Sequence, residues 1–421
     1  RTRKVGFDEL FLDLIVVANI AALGHELRET FVGWYEVEKF FLLFQAVWSI
    51  WRDNLMFWNL FSHVRDVVEK IGVFLQVLFL CGIGVGAHDA FGSAARWVGF
   101  CVWLGEVLVN SAIAVFGSTC SNPSFVPWYT GRSPPAIWGF VAFLTNIPIL
   151  AAAIIGEGRD RTIRNLFWVA FALNTARSSF LPVFMNIVSM KYRPDGIRFA
   201  VNIEAMTEKF GLLTIIVLGE SLLAILFEAS SLITAGNRGA LYLSSLIGVT
   251  VTYNLFTLYF DVDQRILPGA VHVIRNHGYL GLLWAFLHIL LHANLILAAT
   301  GIGLALRFSS QSLSESHIRV ASEAVDMSGL KAEGFKAAYR WLLCGSTGAS
   351  LIISLIQGFL HKPAPYAKHR LVRFSLRSSL GLLFLVLPLA GSRLSALAYL
   401  GILGILISAC TIIEFIFVEA D

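Results

Sequence analysis

Apolar runs of about 18 to 24 residues recur along the whole chain, separated by polar stretches that are mostly short. A helix of that length crosses roughly 30 Å of hydrocarbon. Only helices and closed barrels satisfy their backbone groups in lipid, and runs of this length predict helices. The segments that fit are 8–26, 38–59, 70–88, 95–117, 136–156, 164–189, 208–228, 239–260, 278–305, 336–360, 372–390 and 395–418. The expected fold is therefore all-α, a polytopic transmembrane helix bundle of about twelve spans, with one domain over 1–421. Two connections are expected to be longer polar loops: 118–135, with four prolines, and the Ser-rich 306–335. Pro148, Pro182 and Pro388 fall inside spans, where neighbouring groups are expected to satisfy the carbonyls they free.

Composition sharpens this picture. The chain is 57% hydrophobic and 14% charged, against roughly 25% charged in an ordinary soluble domain. Its net charge of +4 suits loops beside anionic headgroups, and no basic stripe with interleaved aromatics suggests nucleic acid as a partner. Lys and Arg lie more in the even-numbered loops and the N-terminal stretch, which favours a cytosolic N-terminus. That stretch has no small-residue cleavage site after an apolar core, so no removable signal peptide is expected. Cys81, Cys101, Cys120, Cys344 and Cys410 form no C-x-x-C pair, which argues against a disulfide framework or a thiolate metal cage. "ELFLDLIVVA" and "LGESLLAIL" both set an acid in an aliphatic run, a match too short to define an internal repeat.

The charges inside the spans carry the candidate chemistry. Glu9 and Asp13 are four apart, which puts them on one helix face about 6 Å apart in height. Asp13 lies roughly 13 Å along the axis from Lys4, near mid-membrane, whereas Glu9 is shallower. An ionised acid at that depth is unfavourable by some 2.5 to 3.5 kcal/mol, so it should pair with a cation or stay protonated. Glu220, between Gly219 and Ser221, is a second mid-span acid, and Gly219 leaves room for close approach by a helix or a substrate. Glu106 is a third, with Asn110 on the same face, while Glu414 reads as a helix-end residue of little weight. Arg52, beside Asp53, and Arg177 are the candidate counter-charges, with pairing that merely fixes helix registry as the structural alternative.

His288 and His292 share a face at i and i+4, a spacing that suits ligands of a metal or haem but equally suits imidazoles bonded to their neighbours. No metal centre and no cofactor is assigned. "HELRE" lacks the second histidine of a zinc motif, and no G-x-S-x-G elbow is present. The glycines of "CGIGVGAH" point to close helix packing rather than to a phosphate loop.

"ELFLDLIVVA", "EKFGLLTIIVLGES", "LYFD" at 258–261 and "LH" followed by "AATG" at 298–301 together resemble the low temperature requirement protein A (LtrA) family over nearly the whole chain. "WNLFSHVRD" at 58–66, with Gln76 downstream, is similar to a further stretch of that family. There Trp58, Asn59, Phe61 and Asp66 keep the pattern, and Ser62 and His63 depart from it. Lys209 stands where bacterial members usually have Arg, and His292 matches no family histidine. These departures and the long loops resemble a eukaryotic, fungal-like branch. The resemblance implies a multi-helix membrane fold and marks Glu9, Asp13, Glu208, Glu220, Asp261 and His288 as pattern positions; it brings no settled activity with it.

Two functions are compatible with these residues. One is a transporter or channel whose carboxylates bind protons or cations, with Arg52 and Arg177 as counter-charges and His288 as relay. The other is an intramembrane enzyme in which a protonated Asp13 or Glu220 acts as general acid on a lipophilic, isoprenoid-like substrate, as a cyclase or isomerase would. The expected partners are the lipid bilayer and a proton, a cation or a small lipophilic molecule; assembly into an oligomer is left open.

Overall fold

Each apolar segment of the sequence is helical in the computed structural model. The structure describes residues 6–61, 67–119, 134–192, 202–233, 238–263, 271–276, 278–321, 337–362, 369–389 and 394–420. The main helices are α1 (Phe7–Thr30), α2 (Trp34–Phe61), α3 (Val67–Val85), α4 (Ala95–Thr119), α5 (Pro134–Thr145), α6 (Ile147–Ile155), α7 (Asp160–Tyr192) and α8 (Ile203–Leu232). They continue with α9 (Arg238–Thr257), the short α10 (Val273–Asn276), α11 (Gly278–Ala321), the short α12 (Ala337–Arg340), α13 (Ser346–Leu360), α14 (Arg370–Val386) and α15 (Ala396–Ala420). A π-helical turn extends α9 over Leu258–Asp263, and another joins α12 to α13 over Trp341–Gly345.

Among the described residues, nine helices are long and apolar enough to cross a membrane. The other three expected spans are helical but fall short. α2 carries Gln45, Arg52, Asp53 and Asn54, and α7 carries Arg164, Asn174 and Arg177. The segment 136–156 is broken into α5 and α6 at Asn146, because Pro148 in the first turn of α6 supplies no N–H to continue the helix. The break is satisfied locally: the Asn146 amide donates to Ala142 O (2.8 Å), and Asn174 donates to Asn146 Oδ1 (3.0 Å).

Of the expected loop at 306–335, residues 306–321 instead continue α11 to Ala321, and 322–335 lie outside the described residues. The physical reason is the absence of any Gly or Pro between 304 and 328, so the Ser-rich sequence contains nothing that stops a helix. Most of 118–135, with Cys120, lies outside the described residues.

The chain forms two compact units. One comprises residues 1–26 and 35–210, the other 27–34 and 211–421. The first is built on α2, whose Phe44, Val47, Ile50 and Trp51 are buried, with Leu12 and Val16 of α1 and Val98 and Val102 of α4. Glycines in and just after α3 set its approach to α4: a Cβ on Gly82 would lie 2.5 Å from Cys101 Sγ, and one on Gly86 2.3 Å from Val98 Cγ2. The expectation of close packing at these glycines therefore holds. The second unit centres on α11, the most enclosed candidate span at 83% buried, flanked by α9, α13 and α15. In it Gly301 brings α11 against the backbone of the π-turn before α13, 2.6 Å from a Cβ to Leu343 Cα. Large apolar side chains such as Phe7, Val85, Trp97, Leu246, Ile405 and Ile416 remain exposed, as a hydrocarbon surrounding permits.

Candidate functional site

In the first unit, α1 places Glu9 and Asp13 on one buried face, as their spacing requires. Asp13 Oδ1 accepts the indole N–H of Trp51 (2.9 Å), and Oδ2 accepts from Lys209 Nζ (2.5 Å). The same ammonium lies 3.8 Å from Glu9 Oε2. The counter-charge of Asp13 is thus Lys209, not the expected Arg52 or Arg177. Successive helical residues differ by about 100° in direction, so with Lys209 and Phe210 turned inward, Glu208 is exposed and does not join the site. Phe210 packs edge-on to Trp51 with ring centroids 5.4 Å apart, and Trp48 lies beside both.

A second buried network in this unit draws on α2, α4 and α7. Arg177 contacts Asp53 Oδ2 (2.8 Å) and donates to Asn110 Oδ1 (2.6 Å), and its Nη2 stands 3.6 Å from Glu106 Oε2. Asn110 Nδ2 donates to Asp53 Oδ2 (3.0 Å) and to the Glu106 carbonyl (2.8 Å), while the Ser49 hydroxyl donates to Glu106. Arg52 holds the other oxygen of Asp53 at 2.7 and 2.9 Å, with its guanidinium 5.6 Å from the Trp48 ring centroid. Asp53 is the member that sequence reasoning passed over as a site. Its signal was an Arg–Asp dipeptide inside an apolar run. Asn59 serves a different end: its amide exchanges two hydrogen bonds, 3.0 and 2.9 Å, with the backbone of Asn202 just before α8.

In the second unit Glu220 is half-buried. Beside it Gly219 leaves open space, with nothing within 4 Å of an added Cβ: no described helix packs against it, and the room expected for close approach is there. Glu228 and then Glu220 are the acids that act most strongly on the buried Arg28. Glu228 also pairs with Arg307, which bridges to Glu29. The Asp261 side chain lies outside the described ones. Glu414, discounted in the sequence, forms a bidentate pair with Arg377 at 2.5 and 3.0 Å.

Both ring nitrogens of His288 are engaged. Nδ1 lies 2.9 Å from both Trp284 O and the Gln357 amide nitrogen, and Nε2 lies 2.9 Å from the Tyr259 hydroxyl. His292 Nε2 lies 2.9 Å from Thr214 Oγ1. Outside the spans, His272 and His361 face each other with ring centroids 4.5 Å apart, and burial pushes each down to about 4. Among the described residues no three His, Cys, Asp or Glu side chains gather as a metal site.

Apolar helices that enclose ion pairs drawn from several of their number define a polytopic integral membrane protein. The chain belongs to the family described as bacterial low temperature requirement A protein (LtrA), whose sequence model matches residues 4–413. No match to the chain was found among curated proteins or among solved structures.

Proposed function

We propose that the protein is a membrane transporter or channel-like protein that binds protons or cations on its buried carboxylates. The observation that carries this reading is the network of Asp53, Glu106, Arg52 and Arg177. Buried charges are costly, and a purely structural pair is replaceable by apolar side chains. Here one guanidinium is shared unequally, at 2.8 Å from Asp53 and 3.6 Å from Glu106. Neutralising Asp53 with a proton or cation would release Arg177 toward Glu106. The network therefore has two arrangements whose balance a bound cation biases, as coupling requires. Asp13 and Glu9 around Lys209 offer a second place where one ammonium answers two acids.

The enzyme reading loses support at Asp13. Both of its oxygens already accept from protein groups, Oδ1 from the Trp51 indole and Oδ2 from Lys209, so neither is left facing a substrate.

The test is proton and monovalent-cation flux into proteoliposomes holding the purified protein. Asp13→Asn and Glu106→Gln, each checked for folding, are expected to abolish flux. The charge exchange Asp13→Lys with Lys209→Asp is expected to restore folding but not flux. Well-folded protein that passes neither ion across pH and voltage would sink the proposal. So would full flux in the charge-exchanged protein, which would make the pair structural.

A further inference from the structure

In the second unit, residues 271–276 run from the end of α13 to the start of α11, and two histidines fasten them there. Val271 and Lys362 exchange two backbone hydrogen bonds, 3.2 and 3.1 Å. The N–H of Val273 then donates to His361 Nδ1 (3.2 Å), and that of Ile274 to His272 Nδ1 (3.3 Å). A backbone N–H can only donate, so both Nδ1 atoms are acceptors and each neutral ring carries its proton on Nε2. The rings lie with centroids 4.5 Å apart, beside Trp284 of α11, whose ring is 4.8 Å from that of His272. Val273 is fully buried, and a Cβ on Gly281 of α11 would come within 3.0 Å of Ile274 Cα.

These bonds need neutral rings. A proton added to either imidazole goes to Nδ1, the nitrogen that holds the segment, and leaves two N–H groups pointing at each other. Neither ring has an acid to answer such a charge. Apart from the partner ring, the charge acting on His361 is that of Arg370 on α14, whose guanidinium donates to the carbonyls of Gly358, Phe359 and His361 (3.0, 3.1 and 2.9 Å). Lys362 and Arg275, the charged residues of the fastened stretches, are cations too, and both are exposed. His369, just before α14, is turned to Phe417. α11 presents Trp284 and, on its far side, His288, with ring centroids 4.3 Å apart. Among the described residues no carboxylate acts on either ring, and the buried His272 Nε2 has no hydrogen-bond partner.

We propose that residues 271–276 form an acid-released strap: neutral His272 and His361 hold it across the ends of α11 and α13, and protonation of either ring frees it and admits water to Trp284. Burial keeps both rings at about 4 while the strap is closed, against about 6.5 for a solvated histidine. The closed form therefore refuses a proton that the open form takes, which is the sign an acid-released device requires. Between those limits, release becomes about tenfold more favourable per pH unit for each ring that gains a proton. The strap does not rest on the transport reading.

The test is hydrogen exchange of backbone amides by mass spectrometry, on the full chain in lipid nanodiscs between pH 7.5 and 4.5. Rates are divided by the intrinsic chemical rate at each pH. Protection in 271–276 and at Lys362 is expected to fall at least tenfold over this range, while α4 and α15 keep theirs. In His272→Asn with His361→Asn, the amide oxygen stands where Nδ1 accepts and takes up no proton in this range. That protein is expected to hold its strap with a flat pH profile, and either single substitution to retain part of the slope. Unchanged protection of 271–276 in the unsubstituted protein would overturn the proposal. So would loss of protection in α4 and α15 at the same pH, which would make the opening global, or a full acid slope in the doubly substituted protein.

Discussion

Arg377 and Glu414 show what one ion pair contributes when it is fully enclosed, both side chains being about 1% exposed. Removing one partner of such a pair strands the other, whereas replacing both by apolar groups removes the desolvation cost as well. Arg377→Met alone should therefore lower stability by about 3–5 kcal/mol, and Arg377→Met with Glu414→Leu should recover most of that loss. Unfolding of the three proteins side by side in one detergent checks this; equal losses in the single and double variants would refute it. Residues of this kind were only half legible in the sequence. Asp13, Glu106 and Arg177 stand out because each is a lone charge in an apolar run. Lys209 does not, since "EKF" reads as the polar edge of a span, and only tertiary packing turns it onto Asp13. Glu414 looks terminal until α15 is seen to run on to Ala420.

Elements were more legible than sites, because helix length follows from hydrophobic period and lipid thickness, which a sequence displays directly. The break at Asn146 was foreshadowed by Pro148, and the helical course of 306–321 was obscured by serines that read as a loop. The α3–α4 contact was legible as well, because three glycines in one apolar run have few other uses. It also yields a test. Gly82→Ala would drive a methyl into Cys101 Sγ at 2.5 Å, and overpacking of this kind costs about 1–3 kcal/mol. The sulfur is the obstacle, since the Cys101 Cβ would be 3.6 Å away. Cys101→Ala should accordingly rescue Gly82→Ala when melting is compared across the two single variants and the double. A double variant no more stable than Gly82→Ala would place the strain elsewhere.

At the scale of the whole molecule, the histidines outside the spans give stability a pH dependence of definite sign. Burial lowers His272 and His361 to about 4 from an ordinary value of about 6.5. Between those limits the unfolded chain binds more protons than the folded one, so stability should fall as pH drops from about 6.5 toward 4 and level off below. His88 acts in the opposite sense. Its hydrogen bond to Glu26 raises it, so its contribution is present below the ordinary histidine value and is lost as pH rises through the raised one. Apparent melting temperatures across this window, beside those of His272→Gln with His361→Gln, should show the acid slope shrinking in the variant. An unchanged slope would assign it to other groups.

The Asp13–Lys209 pair also sets a timetable for synthesis. Its partners are 196 residues apart in the chain, and a ribosome adding roughly 5–20 residues per second needs about 10 to 40 s to make that stretch. For that interval the acid of the first helix has no ammonium to answer it, and lone entry into lipid is opposed by some 2.5 to 3.5 kcal/mol. Trp51, only 38 residues on, reaches it far sooner. The emerging chain can thus offer Asp13 an indole long before it can offer an ammonium.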